Sequence, residues 1–188
     1  MKEVRVRFAP SPTGPLHIGG VRTALYNYLF AKKNGGKMIL RIEDTDQTRF
    51  VPGAEEYIIK SLDWCRIKFD ESDIVGGDYG PYKQSNRKAL YKQYSDELLA
   101  KGHAYIAFDT PEELDRYRTE AESNKKTFIY NAESRKTLRN SLNMSKDEVD
   151  NLINSGIPYT VRFMMPENYE VEMHDIIRGD IKVNTKTL

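Results

Sequence analysis

The spacing of apolar residues changes twice near the start of the chain. Residues 4–9 alternate between apolar and charged positions, with Arg5 and Arg7 on one side, and this period of two predicts a strand. Apolar residues then recur at helical spacing over residues 21–29, which predicts an amphipathic helix. A second and more continuously apolar strand is predicted at residues 37–44. Strand, helix and strand in this order favour a right-handed crossover and a parallel sheet.

Later segments change in character along the chain. A helix is predicted after Gly53, and another over residues 86–101. Capping boxes that start at Thr110 and Ser145, each with a glutamate three residues later, predict two more helix starts. The polar stretch 124–143 predicts loops, and the tail that follows the last helix is rich in predicted strands. The first half is therefore predicted to be α/β and the second half a mixed α+β region with antiparallel strands.

Composition restricts the kinds of function that the chain can have. Its 188 residues are 39% hydrophobic and 30% charged, which is typical of a folded globular protein. The formal net charge of +1 argues against bulk electrostatic binding to nucleic acid, so any RNA contact must come from a local patch. Cys65 is the only cysteine, which excludes an internal disulfide and a cysteine-based zinc site. With no signal pattern and no apolar run of membrane-spanning length, we expect a cytoplasmic protein that contacts no membrane.

The segment RFAPSPTGPLHIGG, residues 7–20, places prolines, glycines and one histidine between the first strand and the first helix. In an open parallel sheet, ligands bind beyond the carboxyl ends of the strands, where this segment lies. We expect the helix to begin near Gly19 or Gly20 with unpaired amides and a positive dipole end, both of which favour phosphate. His17 could then donate a hydrogen bond to a phosphate oxygen. The alternative is that His17 only bonds a loop carbonyl.

Charged residues follow the same two predicted strands. Arg7 lies near the end of the first strand, where an unpaired buried charge would be costly, so it needs a partner. A substrate carboxylate is one candidate; an ion pair with Glu43 or Asp44, or simple exposure on an edge strand, is the other. Glu43, Asp44 and Asp46 end the second strand and could hold an ammonium group, hold a metal ion, or form a solvated acidic turn. The residue pattern by itself leaves these alternatives open.

These residues together resemble a known family. HIGG is similar to the His-Ile-Gly-His element of class I aminoacyl-tRNA synthetases, and the whole run of residues 7–49 resembles the opening of bacterial-type glutamyl-tRNA synthetases. The likeness continues through VPGAEEYIIKSLDW and GPYKQSNR. It implies an α/β fold, with the first half of a Rossmann-like parallel-sheet nucleotide-binding domain at residues 1–104. An α+β insertion domain that binds the tRNA acceptor stem is implied at residues 105–188.

The resemblance implies a two-step ligase. Glutamate would attack the α-phosphate of ATP, and the 3′-terminal adenosine of tRNA(Glu) would then take the glutamyl group from the adenylate. ATP, Mg²⁺, L-glutamate and tRNA(Glu) are the implied substrates and partners, and the full-length enzyme is expected to be a monomer. The implied glutamate-binding residues are Arg7, Ser11 and Glu43; those for ATP are His17, which is also catalytic, Gly19 and Gly20; those for the tRNA 3′ end are Thr45, Asp46 and Arg49.

The sequence also departs from the family pattern. Gly20 stands where the general element has its second histidine, so only His17 is expected to be catalytic. The segment YIAFDT contains no cysteine, so zinc is not expected, and no metal-binding residues are assigned. The family's Lys-Met-Ser-Lys-Ser element and its anticodon-binding domain are absent from the 188 residues. We therefore expect a fragment that is inactive by itself.

Two interpretations beyond the nucleotide-binding edge stay open. Basic residues of the insertion could contact tRNA phosphates or could simply be solvated. The rival functions are a glutamyl transferase acting on a modified tRNA base, a small nucleotidyltransferase and a non-catalytic RNA-binding module. The basic residues concerned are Lys125, Lys126, Arg135, Lys136 and Arg139.

Overall fold

The computed structural model describes residues 3–187 and divides the chain into two compact units between Lys92 and Gln93. The first unit contains a parallel pair of strands, and the second contains two antiparallel pairs. This matches the predicted change from α/β to α+β character. Within residues 3–187 no helix is both long and apolar enough to cross a membrane.

The first unit opens with the predicted strand–helix–strand order. The two strands pair in parallel, with Arg5 opposite Lys37 and Phe8 opposite Leu40, which confirms the predicted parallel pairing. A short 3₁₀ turn at Gln84–Arg87 leads into a helix that continues past the division between the units. The elements are β1 (Arg5–Phe8), α1 (Ile18–Lys33), β2 (Lys37–Leu40), α2 (Ala54–Trp64) and α3 (Lys88–Ala100).

The two faces of this sheet differ in chemistry. One face packs against α1 and α2, and burial of each large aliphatic side chain there contributes roughly 1.5–3 kcal/mol. The basic residues of β1 lie on the opposite face, as the alternation predicts. Single parallel bridges from Ile39 to Glu71 and from Ile42 to Lys83 bring residues 71–85 alongside β2. The buried core comprises Phe8, Ala24, Ala31, Met38, Leu40, Ile42, Ile58, Leu62 and Ile67.

The second unit contains both predicted capping boxes. Thr110 accepts a hydrogen bond from the amide of Glu113 while the Glu113 carboxylate accepts one from the amide of Thr110. Ser145 and Glu148 do the same at the next helix. Each box satisfies two amides that a helix start would otherwise leave unpaired. The elements are β3 (Ala104–Ala107), α4 (Pro111–Ser123), α5 (Lys146–Asn154), β4 (Thr160–Phe163), β5 (Glu170–Asp175) and β6 (Gly179–Asn184).

The polar stretch before α5 folds through side-chain hydrogen bonds, with one 3₁₀ turn at Ser134–Lys136. Asn140 is fully buried and donates to the carbonyl oxygens of Arg135 and Leu138, which lets this irregular segment pack without regular structure. β3 begins at Ala104, which pairs with β4 and so lies in the second compact unit. The predicted functional boundary between residues 104 and 105 stays a prediction.

Candidate functional site

Backbone hydrogen bonds join the proline-rich turn to the segment that follows β2. The amide of Arg41 donates to the carbonyl of Phe8 at 3.1 Å, and the amide of Glu43 donates to the carbonyl of Pro10 at 2.9 Å. Both segments leave the carboxyl ends of adjacent parallel strands, so they form one edge of the sheet. The structure therefore brings the turn and the acidic run to the same place, which is where open α/β sheets bind ligands.

An open cleft of about 450 Å³ lies at this edge. Three of the predicted site residues, Ser11, His17 and Gly20, line it. Gly19 lies beside it and keeps space for the histidine ring, since a Cβ on Gly19 would approach His17 Cε1 to 2.9 Å. A side chain at position 19 would therefore displace the imidazole.

His17 is exposed and forms the N-cap of α1. Its Nδ1 accepts a hydrogen bond from the amide of Gly19 at 3.1 Å, so in the neutral ring the proton is on Nε2. The cap starts the helix at Ile18, slightly earlier than expected. The amide of Gly20 donates to the His17 carbonyl at 2.9 Å, so the amides of both glycines are occupied. The expectation of unpaired amides there is wrong, and Nε2–H and the helix dipole are left to attract an anion.

Arg7, Arg41 and Glu43 form what we call the open charge cluster. Arg41 Nη2 lies 2.8 Å from Glu43 Oε1, and Arg7 Nη2 lies 3.9 Å from the same oxygen. The Arg7 side chain is 45% exposed and that of Glu43 is 31% exposed, so solvent reaches both. Of the alternatives for Arg7, the structure shows a long ion pair with Glu43, which leaves the guanidinium accessible. Arg41 was not among the predicted site residues.

Arg5, Lys37, Glu71 and Tyr82 form a second group, the closed charge cluster. Arg5 donates to both carboxylate oxygens of Glu71, at 2.6 and 2.7 Å, and the Tyr82 hydroxyl donates to Oε2 at 2.5 Å. Lys37 Nζ lies 3.6 Å away, and the Glu71 side chain is only 3% exposed. The hydrogen bonds from Arg5, with the one from Tyr82, lower the pKa of Glu71 to about 2, although burial acts in the opposite direction. Sequence reasoning missed this cluster.

The contacts of Asp44 show that it is not available to bind an ammonium group or a metal ion. It is buried, and its carboxylate accepts hydrogen bonds from the amide and the hydroxyl of Ser85, at 2.8 and 2.7 Å. Burial by itself would raise the pKa of Asp44, but the hydrogen bonds from Ser85 outweigh it and lower the pKa. The pair connects the acidic run to residues 82–85. Its role is therefore structural.

The remaining predicted residues continue the edge of the sheet beyond Glu43. Asp46 accepts hydrogen bonds from the Thr48 hydroxyl at 2.7 Å and from Arg49 Nε at 2.6 Å, and these lower its pKa. The Thr45 hydroxyl donates to Gln84 at 3.2 Å. Arg49 is 71% exposed and Asp46 is 33% exposed, so solvent reaches this pair. Across residues 3–187, His, Cys, Asp and Glu side chains form no group of three or more that could hold a metal ion.

The basic residues of the second unit have different surroundings. Arg135 is only 11% exposed and donates to the carbonyl of Met165 at 3.0 Å, so it stabilises the fold of this unit. Lys136 forms an exposed ion pair with Glu133 at 2.9 Å. The other three, Lys125, Lys126 and Arg139, are exposed.

Comparisons with known proteins show the family of this chain. Residues 3–188 match the family described as tRNA synthetases class I (E and Q), catalytic domain. Curated relatives include the glutamate–tRNA ligases of Parabacteroides distasonis and Phocaeicola vulgatus, each 59% identical over 187 residues. All of this chain is covered in both comparisons, and the chain spans 36% of the length of each relative.

Solved structures agree as well. A crystal structure of a glutamate tRNA ligase from Elizabethkingia meningosepticum in complex with its amino acid has a TM-score of 0.94 and 56% sequence identity. The alignment covers 100% of this chain and 37% of that one. The likeness confirms the predicted Rossmann-like α/β class. With a family match over residues 3–188, the chain belongs to the catalytic-domain family of class I tRNA synthetases for glutamate and glutamine.

Proposed function

We propose that this chain is the amino-acid-activating part of a glutamate–tRNA ligase. A carboxylate oxygen of glutamate attacks the α-phosphate of ATP, pyrophosphate leaves, and glutamyl adenylate forms. A ribose hydroxyl of the terminal adenosine of tRNA(Glu) then attacks the carbonyl carbon, and AMP leaves. The observation that carries this proposal is the open charge cluster, which combines accessible cationic and anionic groups at the edge of the sheet that also holds the His17 cleft.

Glutamate carries two carboxylates and one ammonium, and the open charge cluster complements it. Arg7 binds the side-chain carboxylate, because a guanidinium matches a carboxylate with two parallel hydrogen bonds. Glu43 accepts hydrogen bonds from the α-ammonium, and Ser11 adds a hydroxyl from the wall of the cleft. The exposure of Arg7 and its 3.9 Å distance to Glu43 support this assignment, because they leave its N–H donors available to a ligand carboxylate.

ATP binds at the start of α1 in this proposal. His17 Nε2–H donates to a phosphate oxygen and stabilises negative charge in the transition state, and loss of such a donor typically costs about 2.7–4 kcal/mol of barrier. Gly19 and Gly20 let the nucleotide approach the backbone. If Mg²⁺ accompanies ATP, phosphate oxygens would supply ligands to it and it would shield their negative charge.

In this proposal the partly buried Asp46 and the exposed Arg49, with Thr45, contact the terminal adenosine of tRNA(Glu). Exposed Lys125, Lys126 and Arg139 of the second unit remain candidates for contacts with tRNA phosphates. We expect the full-length enzyme to be cytoplasmic and monomeric.

Glutamate-dependent ATP–pyrophosphate exchange by the full-length gene product tests the proposal, with tRNA(Glu) present. We expect exchange with tRNA, and no exchange by residues 1–188 alone, since the Lys-Met-Ser-Lys-Ser element is not among them. Robust exchange by residues 1–188 alone would contradict the expectation that this part is inactive by itself. Exchange without any tRNA would favour the transferase that modifies a tRNA base.

Two substitutions of His17 separate its two roles. Asparagine can cap a helix but lacks the donor at the Nε2 position, whereas alanine removes both functions. His17→Asn should therefore keep the thermal stability of the wild type and lose about 100-fold in kcat. Full activity in His17→Asn would remove the histidine from the mechanism.

A further inference from the structure

Arg41 lies directly after β2 and two residues before Glu43, to which the family resemblance assigns a role in binding glutamate. Its amide is fixed by the hydrogen bond to the Phe8 carbonyl, and its side chain is only 22% exposed. Its Nη2 makes the shortest contact of the open charge cluster, 2.8 Å to Glu43 Oε1. Neither its position in the strand pattern nor the family motif gave it a function.

The two arginines compete for one carboxylate oxygen. Arg41 Nη2 donates to Oε1 of Glu43 at 2.8 Å, and Arg7 Nη2 lies 3.9 Å from the same oxygen. A carboxylate held at one oxygen by a mostly buried guanidinium presents its other oxygen in a defined direction. At 3.9 Å, Arg7 Nη2 is too far from this oxygen for a hydrogen bond, so its N–H donors are not used by Glu43.

The charges of the cluster also fit the substrate. Arg7, Arg41 and Glu43 together carry a net charge of +1 when all are ionised, and glutamate carries −1. Without Arg41 the site would be neutral, and Arg7 would be drawn towards Glu43, closing the pocket on itself. A neutral pocket suits glutamine, which is uncharged overall, as well as it suits glutamate.

We propose that Arg41 is a positioning residue that sets the preference for glutamate. It holds Glu43 so that Oε2 accepts from the α-ammonium, and it leaves Arg7 available for the side-chain carboxylate. This inference rests on the proposed function and adds to it a residue that touches Glu43 rather than the substrate.

The test uses Arg41→Gln, Arg41→Lys and the control Lys60→Gln in the full-length gene product. Lys60 forms an exposed ion pair with Glu56 on α2, so the control removes the same charge away from the cleft. Arg41→Gln should raise KM for glutamate about 10- to 100-fold, because it removes a charge-assisted hydrogen bond. KM for ATP and kcat at saturating glutamate should stay within about threefold.

Specificity gives a second readout. The ratio of kcat/KM for glutamate over glutamine should fall at least about 10-fold in Arg41→Gln. Arg41→Lys, which keeps the charge, should restore much of that ratio while its KM for glutamate stays raised. If Arg41→Gln does not fold, Arg41→Lys replaces it in the test. Its KM for glutamate should rise while its KM for ATP stays unchanged.

A double-mutant cycle with Glu43→Gln decides whether Arg41 acts through Glu43. In the Glu43→Gln background, Arg41→Gln should raise KM for glutamate by less than about twofold. Independent, multiplying effects would overturn the proposal, and so would a wild-type KM and specificity in Arg41→Gln. A wild-type protein without glutamate-dependent exchange would instead overturn the proposed function, and with it this inference.

Discussion

Two charge clusters on one face of the same small sheet have nearly the same composition and opposite character. Each has a glutamate between two basic residues, one from β1 and one from β2 or the residue after it; in the closed cluster Glu3 also lies within 4.0 Å of both basic residues. In the closed cluster Arg5 donates hydrogen bonds to both carboxylate oxygens of Glu71, whose side chain is 3% exposed. In the open cluster Arg7 stands 3.9 Å from a glutamate that is 31% exposed.

The difference shows how burial divides structural from ligand-binding charges. The Tyr82 hydroxyl completes the shell around Glu71, so the closed cluster satisfies its own hydrogen bonds and stabilises the fold. The open cluster leaves a guanidinium and a carboxylate in reach of solvent, and a ligand with matching charges can replace that water. Four changes would break or sharpen this comparison.

The largest expected effect is on the closed cluster. Arg5→Ala should lower the free energy of unfolding by about 3–5 kcal/mol, because it leaves the buried Glu71 carboxylate without its main partner. Arg7→Ala, two residues along the same strand, is the matched control and should cost less than about 1 kcal/mol. Urea unfolding of the 188-residue chain measures both. Equal losses would mean that burial does not separate the two clusters.

The second-largest expected effect is a loss of folding stability at low pH, caused by protonation of Glu71 in the closed cluster. The pKa of Glu71 is about 2 in the folded chain against an ordinary value of 4.5, so it stabilises the fold fully above about pH 4.5. That contribution, on the order of 3 kcal/mol, is lost as pH falls towards 2. Stability curves of wild type and Glu71→Gln should therefore approach each other over this range. Curves that stay parallel would contradict the bidentate pairing.

A smaller effect is expected at the open cluster, in activity rather than stability. Arg7→Ala should lower kcat/KM for glutamate about 100-fold, since it removes the partner of the substrate's side-chain carboxylate. ATP binding should be unchanged. Exchange kinetics and a direct ATP titration of the full-length gene product measure the two, with Lys60→Gln as the control. Unaltered glutamate kinetics would show that Arg7 does not bind the side-chain carboxylate of the substrate.

The smallest change concerns the contact that holds the acidic run beside the open cluster. Ser85→Ala removes one of the two hydrogen bonds to the buried Asp44 carboxylate and should cost about 1–2 kcal/mol of stability. Ser61→Ala removes a hydroxyl that donates to a backbone carbonyl on α2 and should stay within about 0.5 kcal/mol. Thermal unfolding of both variants compares them. A Ser85→Ala protein as stable as the control would mean that Asp44 needs only the backbone amide.

Local patterns determined much of this protein. The alternation of β1 predicted which face would carry Arg5 and Arg7, and both capping boxes were predicted because each is complete within four consecutive residues. The crossover followed from the order of the elements, and the resemblance at residues 7–49 led to the family. These features depend on neighbours along the chain, so the sequence was sufficient for them.

Tertiary structure decided which charges meet. Glu71 lies 66 positions from Arg5, and Ser85 lies 41 positions from Asp44, so no local pattern connects either pair. The alternation placed Arg5 on the same face as Arg7, but its pairing with Glu71 depended on residues 71–85 lying alongside β2. The same packing buried Asp44 while leaving Glu43 accessible, because burial is a property of the assembled sheet and not of the residue.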